Sequence, residues 1–303
     1  MKKLPFKLSL FFCGIFLLFF PHLCIQGARD GLLLWSGTIV PTLLPFFLLT
    51  GLMNKYDALS LVFIFFYPVY KKFSKLNPDL ASTLVLGFVC GCPLGAKIVS
   101  DLVLCGSYTK KEGQCLLVVC NNISPMFTVG YTLYLILHDQ TNPFSFFFCL
   151  YLPNIIYFLY YIFRFYKKDF FCCHHKEKNS FFSAKSLDHI IFDSLHSIFM
   201  IGIYIMIFSI GSQLLASLPS IPIITNGLKS CMEITTGLSF LSSMEIKLSI
   251  KAAFACMISS IGGLCGIAQT ADIIKESRLS IHSYIIWKFI FSICSFFLGL
   301  LIL

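Results

Sequence analysis

Long stretches without a charged side chain constrain this sequence more than any other feature. A helix needs about 20 apolar residues to cross the hydrocarbon core of a bilayer, and most of these stretches reach that length. They run from Leu8 to Ala28, Gly31 to Asn54, Gly113 to His138, Gln140 to Phe163, Ser194 to Leu228 and Ala252 to Ala271. Shorter apolar stretches at 58–70, 80–96 and 289–303 complete the pattern. The sequence predicts about eight to ten membrane-embedded helical pieces, some of half length.

Composition agrees with this prediction. The mean hydropathy is +0.84, and 57% of the residues are apolar while 12% are charged. These values lie in the class of membrane proteins. We therefore expect an all-α, polytopic integral membrane protein whose surroundings are the lipid bilayer.

Positive charge predicts how the chain is oriented. The net charge is +9, and basic residues cluster before the first apolar stretch and between Arg164 and Lys185. Cytoplasmic loops of membrane proteins carry such an excess, so the N-terminus and the central loop should both be cytoplasmic. Because the positive charge is explained by orientation, we expect no nucleic-acid partner. Residues 1–30 are predicted to form a retained anchor helix, with a cleaved signal peptide as the alternative.

The basic loop divides the chain into two similar halves. Residues 31–163 form the first half, residues 164–188 the loop, and residues 189–303 the second half. Each half contains one long apolar stretch and two polar, glycine-bearing breaks. We predict two pseudo-symmetric halves, each with a broken helix and a re-entrant hairpin, at about 80–104 and 252–275. Broken segments in corresponding halves indicate the binding site of a transporter.

The stretch "GCPLGAKIVSD" should form the tip and second arm of the first hairpin. Its predicted substrate-binding residues are Gly91, Pro93, Gly95 and Lys97. Pro93 suits a helix N-terminus, which attracts anions. Two interpretations of Lys97 stay open: it meets an anionic group in a cavity, or Asp101, one turn further on, neutralises it in a packed bundle.

The motif "NNISP" supplies the next polar cluster. Pro125 removes the hydrogen bond to the carbonyl of Asn121, so the helix should kink there. Asn121, Asn122 and Ser124 are predicted to line the substrate site, with interhelical hydrogen bonding as the alternative for the two asparagines.

In the second half, Glu233 is either a proton or cation coupling site or the partner of Lys229 at an interface. Gly263, Gln269 and Thr270 are predicted substrate contacts of the second hairpin, with helix capping or a hydrogen bond to a nearby backbone carbonyl as the alternative for Gln269 and Thr270.

Catalysis is not expected, because the sequence has neither a His-Glu-x-x-His nor a G-x-S-x-G motif. We expect no catalytic residue, no metal and no cofactor, while self-association and a role for the pair Cys90 and Cys92 stay open.

Five ordered motifs resemble the sporulation integral membrane protein YlbJ family, a group of the nucleoside-recognition or Gate-domain membrane proteins. They are "GFVCGCPLGAKIVSDL", "TKKEGQ", "CNNISPMF", "MEITTGL" and "GGLCGIAQT". The resemblance extends from about Gly31 to the C-terminus.

This resemblance implies a transporter that acts in endospore formation. It would move a small anionic metabolite, dipicolinate, across the outer forespore membrane. Two alternatives stay open: a carrier of nucleosides or other small metabolites, and a membrane scaffold for spore assembly that transports nothing.

Overall fold

The computed structural model describes residues 14–15, 18–56, 79–165, 187–217 and 222–303. Most of the predicted anchor's first 20 residues and most of the basic loop lie outside the described residues. The described residues are nearly all helical, without a strand. Five helical stretches among them are long and apolar enough to cross a membrane: Lys110–Ile136, Pro143–Arg164, Leu187–Leu215, Leu248–Ile273 and Ile281–Ile302. The protein is therefore an all-α polytopic membrane protein.

The first half begins with one continuous helical stretch. It consists of α1 (Pro21–Leu34), the π-helical segment π1 (Trp35–Ile39) and α2 (Val40–Lys55). After a part outside the description follow α3 (Asp79–Cys90), α4 (Leu94–Leu104) and α5 (Lys110–Cys120). The half ends with the short α6 (Pro125–Phe127), the π-helical segment π2 (Thr128–Ile136) and α7 (Pro143–Phe165).

The second half begins with α8 (Leu187–Ser217), the longest helix described. It continues with α9 (Pro222–Met232), α10 (Ile234–Ser243), α11 (Leu248–Ile261), α12 (Gly263–Ile273) and α13 (Ile281–Ile302).

Side-chain caps explain where several helices begin. Thr109 and Glu112 form a capping box at the start of α5, in which the backbone N–H of Thr109 donates to Glu112 Oε2 at 2.7 Å and that of Glu112 donates to Thr109 Oγ1 at 3.3 Å. Ser280 caps α13 by accepting from the backbone N–H of Ser283 at 3.2 Å. The side chain of Gln114 also bonds the backbone of Ser280 in both directions, which ties α5 to the start of α13.

Helices α1 and α8 make one of the two most extensive contacts between elements. A Cβ atom at Gly27 would lie 2.6 Å from the Cα of Ile210, and one at Gly31 would lie 2.8 Å from the Cα of Met206. Such close approach is how helices gain packing energy in lipid, where apolar surface gives no driving force between them.

Helices α11 and α13 make the other most extensive contact, and α13 also packs against α7 and α5. Helix α12 turns away from α11 and packs against α8, α9 and α4. This differs from the hairpin predicted at 252–275, because α11 and α12 do not pack along each other. Among consecutive helices of this half, α9 and α10, which meet at Glu233, make the most extensive contact, and α8 with α9 and α10 with α11 also pack against each other. The re-entrant character of either hairpin stays a prediction.

The contact between α11 and α13 yields a packing prediction. A Cβ atom at Gly299 would lie 2.8 Å from the Cα of Ala253, so Gly299→Ala forces the two helices apart. We expect a loss of about 1–3 kcal/mol, the usual cost of overpacking. Unfolding of the purified chain by SDS in mixed micelles measures it. Gly130→Ala is the control, since a Cβ atom there meets nothing within 4 Å. Equal stability of the two variants would contradict the packing described.

Candidate functional site

Four interruptions of helical structure form the candidate site. The first break is 91–93 between α3 and α4, and the second break is 121–124 between α5 and α6. The third break is Glu233 between α9 and α10, and the fourth break is Gly262 between α11 and α12. Helix α4 begins one residue after Pro93, as the sequence predicts.

The first break packs directly on the second. The backbone N–H of Cys92 donates to the carbonyl of Asn122 at 2.5 Å. Gly91 has a φ of +70°, a backbone conformation that favours glycine. A Cβ atom there would lie 2.6 Å from the backbone nitrogen of Ser124, and one at Gly95 would lie 2.3 Å from the carbonyl oxygen of Cys120. These two glycines are needed because backbone meets backbone.

Asn121 connects three elements at this junction. Its Oδ1 accepts from the backbone N–H of Ala96 at 3.3 Å, which satisfies a donor in the first turn of α4. Its Nδ2 donates to Thr270 Oγ1 at 2.8 Å and to the Tyr284 hydroxyl at 2.9 Å. The Tyr284 hydroxyl also lies 3.1 Å from the backbone oxygen of Asn121, which can accept from it. These bonds favour the interhelical interpretation of Asn121, while a contact with substrate stays a prediction.

The third and fourth breaks also lie against each other. A Cβ atom at Gly263 would lie 3.3 Å from the backbone nitrogen of Ile234 and 3.4 Å from the Cα of Glu233. Glu233 is buried, and its carboxylate caps α10: it accepts from the backbone N–H of Thr236 at 2.9 Å and from the hydroxyls of Thr235 and Thr236. The side chain therefore has a structural role at the break, in addition to any coupling role.

The two pairs of breaks meet in the interior. A Cβ atom at Gly266 would lie 3.7 Å from Cys92 Sγ, and Thr270 bonds Asn121. Ser100 Oγ on α4 also donates at 3.0 Å to Oγ of Ser277, which lies in the turn after α12. Residues 91–101 and 262–270 are thus neighbours in space, although more than 160 positions separate them in the sequence.

A cavity of about 410 Å³ opens beside Glu233. This volume lies within the range of small-molecule pockets, roughly 300–1,000 Å³. The wall carries one cation, Lys229, and two carboxylates, Asp30 and Glu233. The full lining is Asp30, Leu34, Tyr131, Ile205, Ser209, Lys229, Glu233, Thr235, Thr236, Ser239 and Phe240.

Lys97 and Asp101 lie on α4, away from this lining. Lys97 is half-buried, its Nζ donates to Ser197 Oγ on α8 at 2.8 Å, and it lies 5.9 Å from the ring centroid of Phe47. Asp101 is half-buried one turn later. Their roles in substrate binding or ion pairing stay predictions.

Ser124, Thr270 and Gln269 have contacts close to them in the sequence, in addition to the bond that Thr270 accepts from Asn121. Ser124 caps α6 by accepting from the backbone N–H of Phe127 at 3.2 Å. Thr270 Oγ1 donates to the carbonyl of Gly266 at 2.7 Å, and Gln269 Nε2 lies 3.2 Å from Cys265 Sγ. Both Cys90 and Cys92 are free thiols, and the described residues contain no group of three or more metal-binding side chains.

Sequence reasoning missed Tyr131, Lys288 and the cavity itself. Tyr131 lies on π2, and its hydroxyl donates to the carbonyl of Thr235 at 3.2 Å. A π-helical segment leaves no simple signal in the sequence. Lys288 did leave one, because it is the single charge in the otherwise apolar helix α13.

Comparison with known proteins gives one curated relative. The chain is 22% identical over 304 aligned residues to the sporulation integral membrane protein YlbJ of Bacillus subtilis (strain 168), and the alignment covers 88% of this chain and 74% of that protein. This similarity supports the family resemblance of the five motifs. No protein-family model matches the chain, and no solved structure gives a significant match.

The hydrogen bonds of Asn121 yield a second prediction. Asn121→Leu removes the partner of Ala96 and of Tyr284, and each buried group left unsatisfied costs about 1–3 kcal/mol. The double variant with Tyr284→Phe should show a coupling energy of about 0.5–3 kcal/mol in SDS unfolding. Gln140→Leu, at an exposed amide, serves as control. A coupling energy of zero would contradict the contact.

Proposed function

We propose that this membrane protein, a relative of the sporulation integral membrane protein YlbJ, is a secondary transporter for a small anionic metabolite, with dipicolinate as the substrate. The observation that carries the proposal is the meeting of four helix breaks in the interior beside a cavity. Broken helices in both halves that converge on one place are the usual construction of a carrier's binding site.

The packing of the breaks supports a binding site that can open alternately to the two sides of the membrane. Backbone polar groups at membrane depth need partners, and the first pair of breaks finds some of them across the junction: Asn122 accepts from the backbone of Cys92, and Asn121 accepts from that of Ala96. Cys92 bonds Asn122 across the first pair, and the Glu233 region lies on Gly263 across the second. Two such paired units can separate and close again as bodies, which is what alternating access requires.

The cavity wall supports a flat, polar solute. Lys229 offers a positive charge to a carboxylate and Ser239 offers a hydroxyl, whereas the hydroxyls of Thr235 and Thr236 already donate to Glu233. Tyr131 and Phe240 contribute aromatic rings to the lining, and Tyr131 also stacks on Phe127, outside the lining, with ring centroids 5.1 Å apart. A planar ring that bears two carboxylates matches this combination of charge, hydroxyls and aromatic surface.

Two carboxylates in the same wall constrain the coupling. Asp30 and Glu233 would repel a dianion unless protons or cations neutralise them, so an anionic substrate should be carried together with positive charge. Membrane carboxylates commonly have this role in coupled carriers. We therefore place the coupling cation or proton at this wall.

A neutral substrate is the second candidate, and the acidic wall favours it. With one lysine against two carboxylates, the lining suits an uncharged polar solute such as a nucleoside better than a free dianion. The Gate-domain resemblance points to the same class.

The place of action is part of the proposal. The relative is a sporulation protein, and the chain has several helices that can span a membrane. We propose the outer forespore membrane, with the N-terminus and the central basic loop on the cytoplasmic side.

Transport by the purified chain in proteoliposomes tests the function. We expect uptake of radiolabelled dipicolinate, and Lys229→Gln should lower it by about tenfold or more, because a hydrogen bond to a charged group contributes roughly 1.5–3 kcal/mol. Lys247→Gln is the matched control, since Lys247 is exposed and does not line the cavity. Lys97→Gln, measured in parallel, decides whether that lysine also contacts the anion.

Three outcomes would contradict the leading proposal. Uptake of uridine without uptake of dipicolinate would establish the neutral-substrate carrier. Equal dipicolinate uptake by Lys229→Gln and wild type would remove this cavity from the mechanism. Failure to move either solute under imposed proton and sodium gradients would favour a membrane scaffold.

A further inference from the structure

A buried lysine lies beside the first pair of breaks. Lys288 is on α13 and is 1% exposed. It shares the buried face of α13 with Tyr284, Ser292 and Ser295, at positions about one helical turn apart. A lysine is almost never so completely buried unless something compensates its charge.

The contacts of Lys288 come from the breaks rather than from an acid. Its Nζ donates to Oδ1 of Asn122 in the second break and lies 5.6 Å from the ring centroid of Tyr284. In the part of the chain that the structure describes, no carboxylate forms an ion pair with it.

The end of α5 supplies the compensating negative charge. This helix stops at Cys120, and the last carbonyls of a helix carry a partial negative charge of about half an electron. Asn122, the partner of Lys288, follows that helix end by two residues. The ammonium therefore lies at the C-terminal end of a half-helix within a broken span, a place where carriers coordinate their coupling cation.

We propose that Lys288 is a tethered cation: its ammonium occupies the cation site of the second break, so that the protein binds no free metal cation there. An ammonium is a compact point charge with three donors, which suits this position. The inference extends the proposed function by assigning the first pair of breaks a permanent cation and leaving exchangeable cations to the wall that contains Glu233.

Stability measurements without any substrate test the site. The full chain is purified in detergent as wild type, Lys288→Ala and Lys288→Met, and its thermal unfolding midpoint is compared in sodium chloride, ethylammonium chloride and N-methyl-D-glucamine chloride. N-methyl-D-glucamine is too large for the space that the lysine side chain vacates, so it serves as the inert cation.

The wild-type midpoint should be the same in all three salts. Lys288→Ala should unfold about 5 °C or more below wild type in N-methyl-D-glucamine and recover at least half of this loss in ethylammonium or sodium. Lys288→Met should show the loss without recovery, because its side chain fills the space but carries no charge. A purely structural lysine would not give this salt-dependent difference between the two variants.

Several results would overturn the proposal: a Lys288→Met variant as stable as wild type, a Lys288→Ala variant that no cation restores, or a wild type that sodium stabilises. If Lys288→Ala cannot be purified as a folded protein, its yield of folded protein after detergent extraction with and without ethylammonium chloride replaces the unfolding midpoint as the measurement. Folded protein that is obtained only in the presence of ethylammonium supports the proposal, and the absence of folded protein under both conditions overturns it. A wild type that moves no solute would refute transport and leave this result unaffected.

Discussion

The structure depends on one constraint: a helix interrupted inside a membrane must find partners for the backbone groups that the interruption frees. Water is absent at that depth, and an unpaired N–H or C=O costs several kcal/mol. Here the breaks satisfy one another. The backbone of Cys92 bonds the carbonyl of Asn122, and the side chain of Asn121 accepts from the first turn of α4. The first two breaks therefore hold each other through hydrogen bonds, whereas the third and fourth lie in contact while Glu233 caps its own helix α10.

Small residues make this mutual completion possible. Gly91 and Gly95 lie against backbone atoms of the second break, at distances that leave no room for a side chain. Gly27, Gly31 and Gly299 do the same where α1 meets α8 and α11 meets α13. In lipid this close packing replaces the hydrophobic drive that assembles soluble cores. The glycines of the sequence thus serve two purposes, tight helix contacts and the geometry of the breaks.

The two pairs of breaks differ in how polar groups complete them. In the first pair, Asn121 and Lys288 fill the junction with hydrogen bonds. In the second pair, Glu233 caps α10 and at the same time lines an open cavity with Lys229 and Tyr131. One junction is sealed and the other is accessible, so the cavity side is where a solute can be accommodated.

Much of this arrangement was predictable from local sequence. Uncharged stretches of 20 residues or more require membrane helices, and the position of Pro93 predicted where α4 begins, one residue later at Leu94. The "NNISP" motif predicted a kink near Asn121, since proline removes a helical donor, and the structure has a full break there at 121–124. The breaks depend on glycines, prolines and polar neighbours within a few residues, and for that reason the sequence indicates them.

What the sequence by itself determined is the class of the protein, an all-helical membrane protein broken at defined glycines, prolines and asparagines. Only the tertiary structure decided which break meets which. It paired Gly91 with Ser124 and Gly263 with Glu233, and it brought Lys288 to Asn122. It also packed α9 along α10, whereas α11 and α12, within the hairpin predicted at 252–275, do not pack along each other. The physical reason is range: hydropathy and capping act over one or two helical turns, whereas the contacts of Gly91, Gly263 and Lys288 join residues about 30 to 170 positions apart and depend on how the helices cross.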